Sequence, residues 1–356
     1  MKITAISISP FERNLAVPFV SSQGSVHMRC GFMVMIADDA GHVGHGEASP
    51  LDGVSPDSAP MTERALAQAE RSLMDREIPE SCDDIATLVD NLIPSSCPAA
   101  RFGLETALYD LSSRRAGKPL SVWLNPRAGS QVPVNYLLIR PVDDWERVNS
   151  EIARSGYRAV KIKVGGQVDD DIAFVKLARL QLGEKIRIRL DANRGWSGRQ
   201  AETALHSLAT VRMEYIEEPC RWSDISDVRE LGRSTGIRIA LDESLIALGD
   251  PESYIAGKAA DLFILKPTLL GGIRRTWQLA ETAQAHGCRV VVTSALESET
   301  GIAALLHLAA ALPGEAEPAG LDTLRLFADA DSHLTTVIDG ALAVPEGPGL
   351  GIGDSL

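Results

Sequence analysis

Five residues able to do acid–base or metal chemistry recur at nearly even steps in this sequence: Lys163, Asp191, Glu217, Asp242 and Lys266 are 28, 26, 25 and 24 residues apart. Each closes a short apolar, largely β-branched run (AVKIKV, IRIRLDA, MEYIEEP, IRIALDE, LFILKP), and the step is that of one strand–helix unit. Lys161 precedes Lys163 by two positions, and Arg189 precedes Asp191 by two, so each pair shares a strand face. Three carboxylates are hard oxygen ligands that suit Mg²⁺ and leave positions open for water or substrate oxygens. No His or Cys stands among them, which speaks against zinc. A divalent cation on three carboxylates leaves about one net negative charge, so lysines on either side are electrostatically welcome. Lysines near a metal and near each other release their protons more easily, and one so tuned can act as a base. A cation gripping a carboxylate beside such a base would stabilise the enediolate formed when the α-proton leaves. A single charged strand end is as readily a helix cap or a solvated loop residue. Five at unit spacing in apolar strands, if unpaired and idle, would cost several kcal/mol each.

From about residue 132, seven strand-like runs, VPVNYLLI through RVVVTS, alternate with helical stretches such as DDDIAFVKLARLQLG and RRTWQLAETAQAHG. That alternation means parallel strands with crossover helices. It predicts an α/β fold, a modified (β/α)8 TIM-type barrel of (β/α)7β form over residues 99–324. Active sites of such barrels lie at the strand C-terminal ends, so the five residues should meet at one mouth. Residues 1 to about 49 alternate with period two, and MTERALAQAERSLM and PAARFGLETALYDLSSRRAG have helical spacing. An α+β capping domain is therefore expected over 1–98, completed by the Gly- and Pro-rich stretch from about 325 to 356. Within it, Leu15–Arg29 contains Ser21, Ser22, Gly24 and Ser25, the composition of a mobile lid. His27 and Arg29 there are candidate substrate contacts or, more simply, exposed loop residues.

A net charge of -13 repels phosphate backbones and argues against nucleic acid. The longest apolar stretch, Gly301–Leu312, contains His307 and falls short of the roughly 20 residues of a membrane span. The opening MKITAISISPFERNLAVPF lacks the unbroken apolar core of a signal peptide. Cys30, Cys82, Cys97, Cys220 and Cys288 form no CxxC pair and read as thiols of a reducing compartment. A soluble, cytoplasmic protein is expected, either monomer or homo-oligomer, with a small-molecule partner.

On its strand-end residues the sequence resembles the enolase superfamily, muconate-lactonizing subgroup, over essentially its whole length. The residues that carry the likeness are the KxK of Lys161-Ile162-Lys163, Asp191 in RLDAN, Glu217 in EEP, Asp242 in LDES and Lys266 in LKPTLLGG. The His that the mandelate-racemase branch carries on strand seven is missing from Val290–Ser294. Looser segments are similar to o-succinylbenzoate synthases: SPLDGVS (Ser49–Ser55), RFGLETALYDL (Arg101–Leu111), TSALES (Thr293–Ser298) and GLDT (Gly320–Thr323). The resemblance implies Mg²⁺, with Mn²⁺ as a substitute, on Asp191, Glu217 and Asp242, and a small carboxylate substrate. It implies Lys163 as the base that takes the proton α to the bound carboxylate. Lys266 would stabilise charge from the facing wall, and Lys161 would lower the pKa of Lys163. The synthase likeness implies a hydro-lyase of menaquinone biosynthesis, performing syn dehydration of 2-succinyl-6-hydroxy-2,4-cyclohexadiene-1-carboxylate to 2-succinylbenzoate. The same residues would serve an N-acylamino acid racemase or dipeptide epimerase, with both lysines as bases. A muconate cycloisomerase and a non-catalytic scaffold are the more remote readings. Arg189, Asn193, Glu218 and Glu243 are expected to orient the ligands or to form ordinary salt bridges. Ser294 and Ser298 are expected to meet the substrate's tail, with a helix N-cap as the alternative for Ser298. Gly165-Gly166 and Gly271-Gly272 read as turns.

Overall fold

The computed structural model describes residues 2–21, 24–247, 249–330 and 332–353. The alternating N-terminal runs form an antiparallel sheet of β1 (Ile3–Ser21), β2 (Gly24–Asp38) and β3 (Val43–Ala48), in that order. β1 and β2 are one long hairpin, with a register slip between Asn14 and Phe19. The stretch read as a lid loop is therefore strand up to Ser21 and again from Gly24; Ser22 lies outside the described residues. Helices α1 (Ala59–Leu73), α2 (Cys82–Leu92) and α3 (Pro98–Arg115) pack behind this sheet, so α3 goes with the cap although it lies beyond the boundary expected at residue 98. α3 lies so close to β3 that a Cβ on Gly46 would stand 2.0 Å from the Gly103 carbonyl oxygen. Only glycine permits that approach of backbone to backbone.

The run VPVNYLLI divides. Gln131–Pro133 forms β4, which pairs antiparallel with Ala341–Ala343 near the C-terminus, and Tyr136–Leu138 forms β5. β5 opens a curled parallel sheet continued by β6 (Ala159–Lys163), β7 (Arg187–Asp191), β8 (Met213–Glu217), β9 (Ile239–Leu241), β10 (Leu262–Leu265) and β11 (Arg289–Val292). The seven strands stand in sequence order, as right-handed strand–helix crossovers dictate. Ala319 and Gly320 join the two edges. Ala319 N–H donates to Pro133 O at 2.7 Å, and Gly320 N–H donates to Val292 O at 2.9 Å. This short piece occupies the eighth position of the ring.

Register decides which strand ends meet. Lys163 pairs with Asp191 and Asp191 with Glu217, so one rung of the sheet carries all three, with Lys161 paired to Arg189 one step deeper. Below them Tyr215, Ala240, Leu262, Ile264 and Val291 fill the barrel interior. The cap is tied to the barrel by buried charge as well as apolar packing. Glu105 of α3 accepts from the backbone N–H groups of Ile273 and Arg274 at the start of the helix Ile273–Ala285. Tyr109 Oη donates to the same carboxylate at 3.2 Å. Burial pushes the pKa of Glu105 from 4.5 up to about 7. No helix among the described residues is long and apolar enough to cross a membrane.

Candidate active site

At the C-terminal ends of β6 to β10 the five evenly spaced residues and Lys161 come together. Lys161 Nζ donates to Glu217 Oε2 at 2.6 Å and stands 2.9 Å from Asp191 Oδ2, so its ammonium lies between two carboxylates. Lys163 Nζ donates to Asp191 Oδ2 and to Asn193 Oδ1, both at 2.7 Å, and sits 5.2 Å from the ring centroid of Phe19. Lys266 is ion-paired with Asp242. Lys161, Lys163, Lys266 and Asp191 line one cavity, while Glu217 and Asp242 lie buried and bonded to the amines of Lys161 and Lys266.

Burial and field compete at each of these groups. Burial pushes Glu217 up to about 7 against the pull of Lys161, with the charges of Asp191 and Asp242 adding to the rise. Asp242 is also raised by burial, against the pull of Lys266. At Asp191 burial is outweighed by Lys161, Lys163 and Lys266, which hold it far below the usual carboxylate range. Burial disfavours charge on Lys161 and Lys266 too, but the carboxylates outweigh it and raise both. Among the protein's own charges the balance thus keeps these two amines protonated. The lowering expected from the sequence requires the repulsion of a bound cation.

The donor chemistry suits such an ion. Glu217 Oε1 is buried with no hydrogen-bond partner, in a group of three buried carboxylates made of hard oxygens. Among the described residues, no three His, Cys, Asp or Glu side chains form a ready ion cage. Lys161 stands between two of the carboxylates instead.

The supporting residues divide between those that reach this cluster and those that do not. Asn193, at a backbone φ of 43°, donates its N–H to Asp191 Oδ1 at 3.0 Å and its side-chain amide to Glu243 Oε1 at 2.9 Å. Glu218 accepts from the N–H groups of Asp242 and Ser244 and from the Ser244 hydroxyl, each at 2.8 Å, so it fixes the turn that carries Asp242. Glu243 lines the cavity with its Oε2 unpartnered. Ser294 lines it too, its hydroxyl 2.8 Å from that of Thr323.

Two expectations, for Ser298 and Arg29, are corrected, while Arg189 takes the salt-bridge alternative. Arg189 is completely buried and bound to Glu214, Glu317 and the Pro318 carbonyl, because two residues along a strand keep the face but move one layer down. Ser298 is absent from the cavity wall; its N–H donates to Glu47 of β3 at 2.9 Å and its hydroxyl to the same carboxylate. It stands at the N-cap position of the helix Glu299–Ala311 without capping it. Arg29 is 3% exposed and bonded to three backbone carbonyls, so it is neither a loop residue nor a cavity contact. His27 is exposed, with Nε2 3.1 Å from Ser25 Oγ.

Sequence reasoning missed Asp322. It lines the cavity and accepts at Oδ2 from Tyr157 Oη (2.6 Å) and Arg325 Nε (2.9 Å), while its Oδ1 is buried without a partner. Its only signal was its place in GLDT, next to the closing segment. The apolar wall of Phe19, Leu51, Val54, Leu137 and Leu296 was signalled only at the level of segments, the Leu15–Arg29 stretch, SPLDGVS and TSALES, and not residue by residue.

Lys163 and Lys266 thus border one cavity beside buried carboxylates, at the C-terminal ends of the strands of a capped parallel barrel. Residues 3–124 match the family model of the mandelate racemase / muconate lactonizing enzyme N-terminal domain, and residues 144–353 match the enolase C-terminal domain-like model. The chain belongs to this family of the enolase superfamily. It is 29% identical over 313 residues to an N-succinyl-L-Arg/Lys racemase of Bacillus cereus, covering 87% of this chain and 84% of the relative. It is 31% identical over 356 residues to an o-succinylbenzoate synthase of Desulfotalea psychrophila, covering 91% and 94%. The crystal structure of a dipeptide epimerase from Enterococcus faecalis, complexed with Mg and L-Leu-L-Tyr, superposes with a TM-score of 0.88 at 26% identity, covering 99% of this chain and all of that one.

Proposed function

We propose that this protein inverts the stereocentre next to the carboxylate of a small amino-acid derivative, an N-acylamino acid or a dipeptide. The observation that carries the reading is the placement of Lys163 and Lys266 in one cavity. Their strands, β6 and β10, are four places apart in the curled seven-stranded sheet and both amines border the same cavity, which supports approach to a bound substrate from two sides. One lysine takes the α-proton from one face, and the other returns a proton to the opposite face. Asp191, Glu217 and Asp242 would hold Mg²⁺, which when bound stabilises negative charge developing on the substrate carboxylate. Lys161 keeps Asp191 and Glu217 paired, and Glu218 holds Asp242 in place through the backbone. Asp322 Oδ1 needs a hydrogen-bond donor, and an amide or ammonium N–H of an amino-acid derivative supplies one.

A second reading is syn dehydration to 2-succinylbenzoate, in which Lys163 both removes the proton and returns it to the leaving hydroxyl while Lys266 stays charged. It is favoured by the cavity wall, where Leu51, Val54, Thr293 to Leu296, Asp322 and Thr323 belong to segments similar to the synthases.

The test is incubation with N-succinyl amino acids and dipeptides in D₂O, following loss of the α-proton by NMR, beside an ultraviolet assay with the dehydration substrate. Deuterium exchange with inversion supports the first reading. Turnover of the dehydration substrate alone removes it. Lys266→Arg separates the two again, since it should retain dehydration better than inversion.

A further inference from the structure

Arg29 lies outside the cavity yet touches two of its walls. Its Nη2 donates to Ser49 O at 2.8 Å, its Nη1 to Pro50 O at 2.9 Å and its Nε to Leu296 O at 3.1 Å. Ser49 and Pro50 open the cap turn that carries Leu51 and Val54 into the wall. Leu296, with a backbone φ of 65°, belongs to the wall itself, as does Ala295. One guanidinium therefore clasps a loop from each half of the chain.

Its surroundings show that this is a built joint. Arg29 sits in the field of two buried carboxylates, Glu297 and Glu47, while its own hydrogen bonds go to carbonyls. Glu47 takes the N–H groups of Ser298 and Gly301, and Glu297 takes the N–H of Ala295 at 2.7 Å and the hydroxyl of Thr268. Thr268 lies two residues beyond Lys266, so the joint also reaches the loop behind that amine. Directly across the hairpin, Arg13 pairs with Arg29 in register, and such cross-strand neighbours share a face. Arg13 instead binds Glu299 and Asp329, which lie outside both wall loops.

We propose that Arg29 is a positioning residue for substrate binding, setting the separation of the wall loops Leu51–Ser55 and Ala295–Glu297 without touching the substrate. This rests on the cavity being the active site. A planar fork spreads its donors in fixed directions over three nitrogens and so spans both loops, whereas the three donors of a lysine ammonium radiate from one nitrogen on a flexible stem. Both loops carry hydrogen-bonded amides that report their order: Val54 and Ser55 donate to Leu51 O, and Ala295 to Glu297.

The experiment compares the full-length wild type, Arg29→Lys and Arg13→Lys by hydrogen exchange of peptides spanning 51–55 and 295–297, and by steady-state kinetics on whichever substrate the D₂O test identifies. Arg29→Lys should exchange about tenfold faster in both peptides, with KM up about tenfold and kcat within about threefold of wild type. Arg13→Lys should leave both peptides at the wild-type rate. Unchanged exchange in Arg29→Lys overturns the proposal. So does acceleration spread evenly over the chain, a fall in kcat at constant KM, or failure of Arg29→Lys to fold, which would make the residue a determinant of the fold. The exchange measurement needs no substrate, so its outcome is independent of whether the proposed reaction is correct.

Discussion

Replacing Lys161 by methionine removes the ammonium from between Asp191 and Glu217 while keeping an unbranched chain in β6. Asp191 then retains Lys163 at 2.7 Å, but Glu217 loses its Oε2 partner, and its Oε1 has none already. Breaking a buried ion pair by deleting one partner costs about 3–5 kcal/mol. A cation that binds only the folded chain returns about 2.7 kcal/mol at a hundredfold excess over its Kd and about 4.1 kcal/mol at a thousandfold excess. Urea unfolding in EDTA should therefore show Lys161→Met less stable than wild type by about 3–5 kcal/mol. The deficit should be smaller at pH 6 than at pH 8, because Glu217, already pushed up to about 7, escapes the cost by taking a proton. Saturating Mg²⁺ should recover most of the loss and should stabilise the variant more than wild type, where Lys161 competes for the same oxygens. An equal Mg²⁺ increment in the two proteins, or none in either, would refute the idea that lysine and cation share Asp191 and Glu217.

Two further outcomes are expected. Glu105 has a folded pKa of about 7 against an ordinary 4.5, so the folded chain holds the extra proton between those values. Stability should fall as pH rises through that window, by about 3 kcal/mol in all at about 1.4 kcal/mol per unit. Glu105→Gln should lose that slope, and parallel pH profiles of the urea midpoint would contradict the assignment. Asp322→Asn should raise KM about tenfold for a substrate that donates an N–H, with a smaller change in kcat. An unchanged KM for N-acylamino acids and dipeptides would remove Asp322 from recognition.

The barrel and its charged rung were legible because strand register turns even sequence spacing into spatial adjacency. Lys163, Asp191 and Glu217 stand at the ends of neighbouring strands, AVKIK, RIRLD and MEYIE, in which apolar and charged residues are interspersed. Asp322 was not legible, since its neighbour on the ring is the two-residue bridge Ala319–Gly320, too short to show a period. For Arg189 the sequence left ligand orientation and salt bridging open, because periodicity fixes a face but not a depth. Ser298 and Arg29 depend on partners far along the chain, Glu47 at 251 residues and Leu296 at 267, and no local pattern encodes such pairings. The polar stretch around Arg29 read as loop, although a hairpin with one solvated face has the same composition.

The amines and acids proposed to move a proton occupy five neighbouring strands of the barrel between residues 161 and 266, whereas Phe19, Leu51 and Val54 belong to the other end of the gene. Diversification can therefore work on the gatehouse while leaving the furnace alone. Lineages that split racemase from synthase at nearly equal distance from this chain are what such divided inheritance would leave behind.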